Sequence, residues 1–113
     1  MLLYRLTRCV YANDLSGSGA RLYGGRWNSE GRSAVYLASS RSLALLEALV
    51  HLPPADVPNE YCMVVIETPD DHESVNETLL PKNWLDQSDV DGLKQLGNDF
   101  LYARKHLLLR VPS

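Results

Sequence analysis

The sequence is poor in cysteine, has no lysine in its first half and contains no long apolar run, and each shortage closes a class of explanation. Only two cysteines, Cys9 and Cys62, occur in 113 residues. Both stand in apolar, strand-like settings, and their spacing matches no metal or disulfide framework, so they read as small buried hydrophobes. No apolar stretch approaches the roughly 18 residues that span a bilayer. Arg5 and Arg8 interrupt "MLLYRLTRCVYAND" where a signal peptide would need an unbroken apolar segment. The expectation is a soluble, cytoplasmic chain that enters no membrane. There is no internal repeat and no low-complexity tract. A formal net charge of -3 lacks the basic surplus needed to neutralise a phosphate backbone, which argues against a direct, nonspecific nucleic-acid binder.

What is present fits one compact globular domain over residues 1–113, with 45% hydrophobic residues supplying a core that needs no staples. The charge is unevenly spread. Residues 1–56 carry six basic side chains, all arginine, against Asp14, Glu30, Glu47 and Asp56, a balance of +2; residues 57–113 carry five basic and ten acidic side chains, a balance of -5. Arginine makes forked contacts to phosphate or carboxylate, so the first half could hold a compact anionic ligand within an acidic protein.

Strand and helix patterns alternate. "LLYRLTR" predicts an opening strand, "ANDLSGSGARLYGG" a polar loop, and "AVYLA", Ala34 to Ala38, a short buried strand. Ser39 or Ser40 can cap a helix through "SLALLEALVHL" that stops before Pro53. "YCMVVIE" predicts a second, central strand, and "LLPKNW" a turn. Ser88 or Asp89 can start another helix, where Leu93, Leu96 and Phe100 recur at helical spacing although Gly92 and Gly97 weaken it. "HLLLRVPS" closes as a strand. Strands with two strong helices predict an α+β domain.

Two places raise a chemical question. In the first helix Glu47 is the only charged residue between Ser42 and Val50. The helix is apolar nearly all round, which predicts cover on both sides and a buried carboxylate. Such a group must find a partner, either His51 one turn on or an arginine, or else it lines a pocket whose ligand brings positive charge. The other place is "YGGRWNSEGRSAVYLASS", Tyr23 to Ser40. Gly24 and Gly25 permit a tight turn with positive φ. Arg26 then either points to solvent beside a packing Trp27 or grips an anion.

Together these stretches resemble the RES domain, the toxin half of bacterial toxin-antitoxin pairs with Xre-type antitoxins. The likeness rests on "YRLT", "GRWN" followed by glycine, "VYLASS", "LLEALVH" and "LLLRVPS" in that order. The arginine, glutamate and serine that name the family fall on Arg26, Glu47 and Ser113, with Tyr36 as the usual fourth pocket residue. The resemblance implies an ADP-ribosyltransferase-like fold of twisted sheets with flanking helices. It also implies NAD as substrate, no separate cofactor or metal, and cleavage of NAD as the toxic act. Glu47 would stabilise the positive charge that builds on the ribose, and Arg26 would hold the pyrophosphate while Gly25 and Trp27 shape the approach. Tyr36 would offer its face to the nicotinamide, Ser113 a hydroxyl, and His51 support.

Water or phosphate as acceptor would make the protein an NAD glycohydrolase or phosphorylase, and a protein acceptor would make it an ADP-ribosyltransferase. The resemblance also implies an Xre-type antitoxin as partner, and unpaired apolar surface suggests a homodimer. RES domains usually continue past the serine, so the sequence reads as truncated, with C-terminal strands missing. A naturally short relative would instead be an inactive antitoxin-binding or anion-binding module.

Overall fold

The computed structural model describes residues 1–51, 60–80 and 90–112. The chain separates into two contact units: Met1–Leu15 with Tyr36–Pro69, and Ser16–Val35 with Asp70–Ser113.

The first unit is built on an antiparallel pair, β1 (Leu2–Arg8) and β2 (Tyr61–Glu67), in a register running from Leu2 opposite Glu67 to Arg8 opposite Tyr61. β-branched and apolar residues favour this pleated surface. The segment Ala34 to Ala38 is not the predicted strand. It touches β1 at one bridge, where Tyr4 and Ala38 exchange backbone hydrogen bonds of 2.8 and 2.7 Å. The chain then enters helix α2 (Arg41–His51). Ser40 caps it as expected, its hydroxyl accepting from Leu43 N at 3.1 Å. α2 packs on β1 through buried Ala44, and the Arg41 guanidinium sits 4.7 Å from the Tyr4 ring centroid. Leu52, Pro53 and Pro54 lie outside the described residues.

The two cysteines correct the sequence expectation. After β1 a 3₁₀ turn, Cys9–Tyr11, curls the chain back, with Cys9 N donating to Glu60 O at 2.7 Å. This brings Cys9 against Cys62, which faces Thr7 in the ladder, and the two form a disulfide with Cα atoms 5.0 Å apart. Cys9 is exposed rather than a buried hydrophobe.

In the second unit the predicted polar loop contains a six-residue helix, α1 (Ser18–Tyr23). It ends at Gly24, whose φ of 73° puts it in the left-handed region and whose N–H donates to Ala20 O at 2.8 Å. The other elements are β3 (His72–Ser74), a 3₁₀ turn (Glu77–Leu79), α3 (Val90–Ala103) and β4 (Leu108–Arg110). β3 and β4 pair in parallel, His72 opposite Leu108. The predicted closing strand is thus present but three residues long, and its partner β3 has too little apolar character to be read from sequence. Most of "LLPKNW" and both expected starts of the last helix, Ser88 and Asp89, lie outside the described residues. Leu93, 1% exposed, forms the core with Trp27 and Leu80, joined by Val75 and Val111.

An acidic corner stabilises the turn from α3 into β4. Asp71 accepts from His106 Nδ1 at 2.8 Å and, through its other oxygen, from Leu107 N at 3.2 Å. The His106 hydrogen bond, with that of Leu107 and the charges of His106 and His72, holds the Asp71 carboxyl below its usual value despite an opposing desolvation effect. A carboxyl depressed in the folded state adds stability that is present above its unfolded value, near 3.8, and is lost as pH falls through the folded one. Asp71→Asn is therefore expected to lower stability at neutral pH and to flatten its decline below about pH 4. Thermal unfolding of both proteins between acid and neutral pH checks this, and parallel curves would refute it.

Candidate functional site

The "GRWN" stretch is held by packing and by partly buried hydrogen bonds in the second unit. Gly25 N donates to Asn28 O at 3.0 Å and closes a tight turn. Trp27 is 6% exposed and belongs to the core. It serves the loop as an anchor. Asn28 has no exposed surface. Its amide nitrogen donates to Ala20 O and Arg32 O at 2.9 Å each and to Ser29 O at 3.3 Å. One side chain thereby ties the end of α1 to both sides of the loop. α3 grips the same loop: Ser29 N donates to Asn98 Oδ1 at 3.0 Å, and Asn98 Nδ2 to Ser29 Oγ at 2.9 Å.

Arg26 is exposed at the outer side of this anchored turn. Its neighbours Gly25 and Asn28 are held by hydrogen bonds, which fixes the backbone that carries it. Asn28→Ala is expected to destabilise the protein by about 2 kcal/mol, because it leaves the carbonyls of three partly buried hydrogen bonds without their donor. Urea unfolding measures the loss, and a change within error would show that water replaces the amide.

In the first unit Tyr36 and Glu47 are both exposed. The expected burial of Glu47 is corrected. α2 is apolar nearly all round, but only the side that meets β1 is covered, and Leu45, Leu46, Leu49 and Val50 remain exposed, Val50 by 78%. Among the described residues the Glu47 side chain makes no hydrogen bond or ion pair, so no described arginine neutralises it. The side chain of His51, and Ser113 altogether, lie outside the described residues. Gly25, Arg26 and Trp27 thus fall in one unit, and Tyr36 and Glu47 in the other.

Two clefts of about 390 and 360 Å³ lie in the second unit, and none of the sequence-predicted residues lines either. The first is bounded by Asp71, Phe100 and Arg104 to Leu107, the second by β3, α3 and Leu109. Among the described residues no group of three or more His, Cys, Asp or Glu side chains could hold a metal ion. No described helix is long and apolar enough to cross a membrane. Sequence reasoning missed Asn28 and Asn98, which organise the Arg26 loop. The signal available was Asn28 directly after Trp27 in a glycine-flanked turn, where a short amide commonly bonds local backbone.

Small sheets with three helices make this an α+β protein, consistent with an ADP-ribosyltransferase-like fold. The chain belongs to the RES domain family, which it matches over residues 2–113. It is similar to the Toxin Res of Photorhabdus laumondii, 37% identical over 115 residues that take in all of this chain and 74% of the relative. The Toxin Res of Yersinia enterocolitica is 40% identical over 119 residues, again all of this chain and 76% of the relative. The Prs ADP-ribosylating toxin of a Sphingobium species is 39% identical over 110 residues, 94% of this chain and 68% of the relative.

Proposed function

We propose that this protein is the toxin of a toxin-antitoxin pair and acts by cleaving the bond between nicotinamide and ribose in NAD. The carrying observation is the family match across residues 2–113, with Arg26 and Glu47 both exposed. Cleavage expels neutral nicotinamide and leaves an oxocarbenium-like ribose, so a carboxylate beside it favours the transition state more than the ground state. A glutamate already locked in an ion pair could not do this. Glu47 takes that role, and substrate closing over its exposed carboxylate would exclude water and strengthen the attraction. Arg26 holds the pyrophosphate through its fork, and the adjacent Gly25 allows close backbone approach. Tyr36 stacks on the nicotinamide, with Ser113 and His51 in supporting positions. Water or inorganic phosphate takes up the ribosyl carbon. The reading requires NAD as substrate and no separate cofactor. An Xre-type antitoxin would restrain the toxin, and the exposed leucines of α2 make a homodimer reasonable.

A second reading is favoured by one observation, the name of the Sphingobium relative as an ADP-ribosylating toxin. A protein side chain would then be the acceptor, with the same departure of nicotinamide. Incubation of purified, antitoxin-free protein with NAD, with and without phosphate, tests both. Nicotinamide release by the protein alone supports glycohydrolysis, release only with phosphate supports phosphorolysis, and release only with a protein acceptor supports transfer. Release under none of these conditions would sink the enzyme reading.

A further inference from the structure

The geometry points to the Cys9–Cys62 disulfide as a reversible redox clamp on the unit that carries α2. The bond joins residues 53 apart in sequence, and the loop it closes contains Tyr36, the Ala38 bridge and the whole of α2 with Glu47. The loop also takes in Ser16–Val35 of the second unit, so constraining it removes much of the freedom of the unfolded chain and oxidation stabilises the fold.

Three observations make the clamp reversible. Cys9 is exposed, so a small thiol can reach a sulfur without prior unfolding. The backbone ladder of β1 and β2 runs from Leu2 opposite Glu67 to Arg8 opposite Tyr61 and continues as the Cys9 N to Glu60 O hydrogen bond. It holds the two cysteines as neighbours whether or not they are bonded. Finally, these are the only cysteines in the sequence, so a reduced molecule can re-form no other internal pair.

The step is an ordinary exchange. A reductant dithiol attacks one sulfur, the Cys9–Cys62 bond breaks, and the reductant leaves as its own disulfide. Two electrons and two protons pass to the cysteines, which become two thiols. Oxidised glutathione drives the reverse reaction, with its own disulfide reduced to two thiols. No step involves NAD, so the clamp stands or fails independently of the proposed reaction.

Protein oxidised with glutathione disulfide and the same protein reduced with dithiothreitol are compared by thiol titration, melting temperature and amide hydrogen exchange. The oxidised form should show no reactive thiol and the reduced form two. Reduction should lower Tm by about 10 °C and speed exchange across residues 41–51 on the order of tenfold. Reoxidation should restore both. Cys62→Ser should melt like the reduced protein and ignore dithiothreitol; if it does not fold, reduced wild type supplies the same comparison without substitution. Two reactive thiols after oxidation, or an unchanged Tm once the bond is reduced, would overturn the clamp.

Discussion

Gly97→Ala is expected to destabilise the protein by about 3 kcal/mol or more. On helix propensity alone the sign would be opposite, since alanine gains up to about 1 kcal/mol over glycine inside a helix. Contact decides it. A Cβ on Gly97 would collide with the Trp27 carbonyl oxygen, lie 2.7 Å from the Trp27 carbonyl carbon and 3.1 Å from its Cβ. These are backbone and near-backbone atoms of a buried residue, which cannot swing aside like the end of a long side chain. α3 must therefore retreat from the loop, loosening both the Trp27 packing and the Asn98–Ser29 pair. Gly19→Ala is the matched control, because its added methyl meets nothing within 4 Å inside α1, so it should be neutral or slightly stabilising. Urea unfolding of the two variants measures both effects, and equal midpoints would mean that α3 and Trp27 do not approach as described.

Glu47→Gln is expected to reduce nicotinamide release about 100-fold or more while leaving Tm unchanged. Glutamine keeps the shape and reach of the side chain but removes the charge and turns one acceptor oxygen into an NH2 donor. Because Glu47 is exposed and makes no hydrogen bond or ion pair among the described residues, its charge contributes little to the fold, and surface substitutions of this kind shift stability by about 0.5 kcal/mol or less. A large kinetic loss at constant Tm therefore reports chemistry rather than structure. A variant releasing nicotinamide at the wild-type rate would remove Glu47 from the reaction, and a fall in Tm matching the loss of rate would reassign it to the fold.

The elements with strong periodicity were legible from sequence. β2 follows from its β-branched run, β1 from its alternation of apolar and polar residues, α2 from its Ser40 cap, and α3 from Leu93, Leu96 and Phe100. Elements defined by long-range partners were not. Ala34 to Ala38 has strand-like composition, but a strand requires a continuous ladder, and only Ala38 finds a partner. β3 exists because β4 lies beside it, a relation that local composition does not encode. The cysteine pair escaped for a similar reason: two cysteines 53 apart look isolated until the antiparallel register and the turn at Cys9 bring them together. Gly97 looked like a flaw in a helix and is instead the space that Trp27 needs. At the site, the identity of Arg26, Tyr36 and Glu47 as candidates could be read, whereas the exposure of Glu47 could not. Apolar residues on every side of α2 imply cover only if neighbouring elements exist to supply it.

The discontinuous make-up of the two units has a consequence during synthesis. The unit bearing Glu47 needs β2, so it can close once residue 69 has left the ribosome. The "GRWN" turn was made long before, yet its Asn98 partner and the Leu93 packing for Trp27 arrive only with α3. Long-range contacts of this kind form late and slowly. A nascent chain therefore carries its arginine without a fully anchored turn until α3 has emerged, well after the unit bearing the glutamate can close.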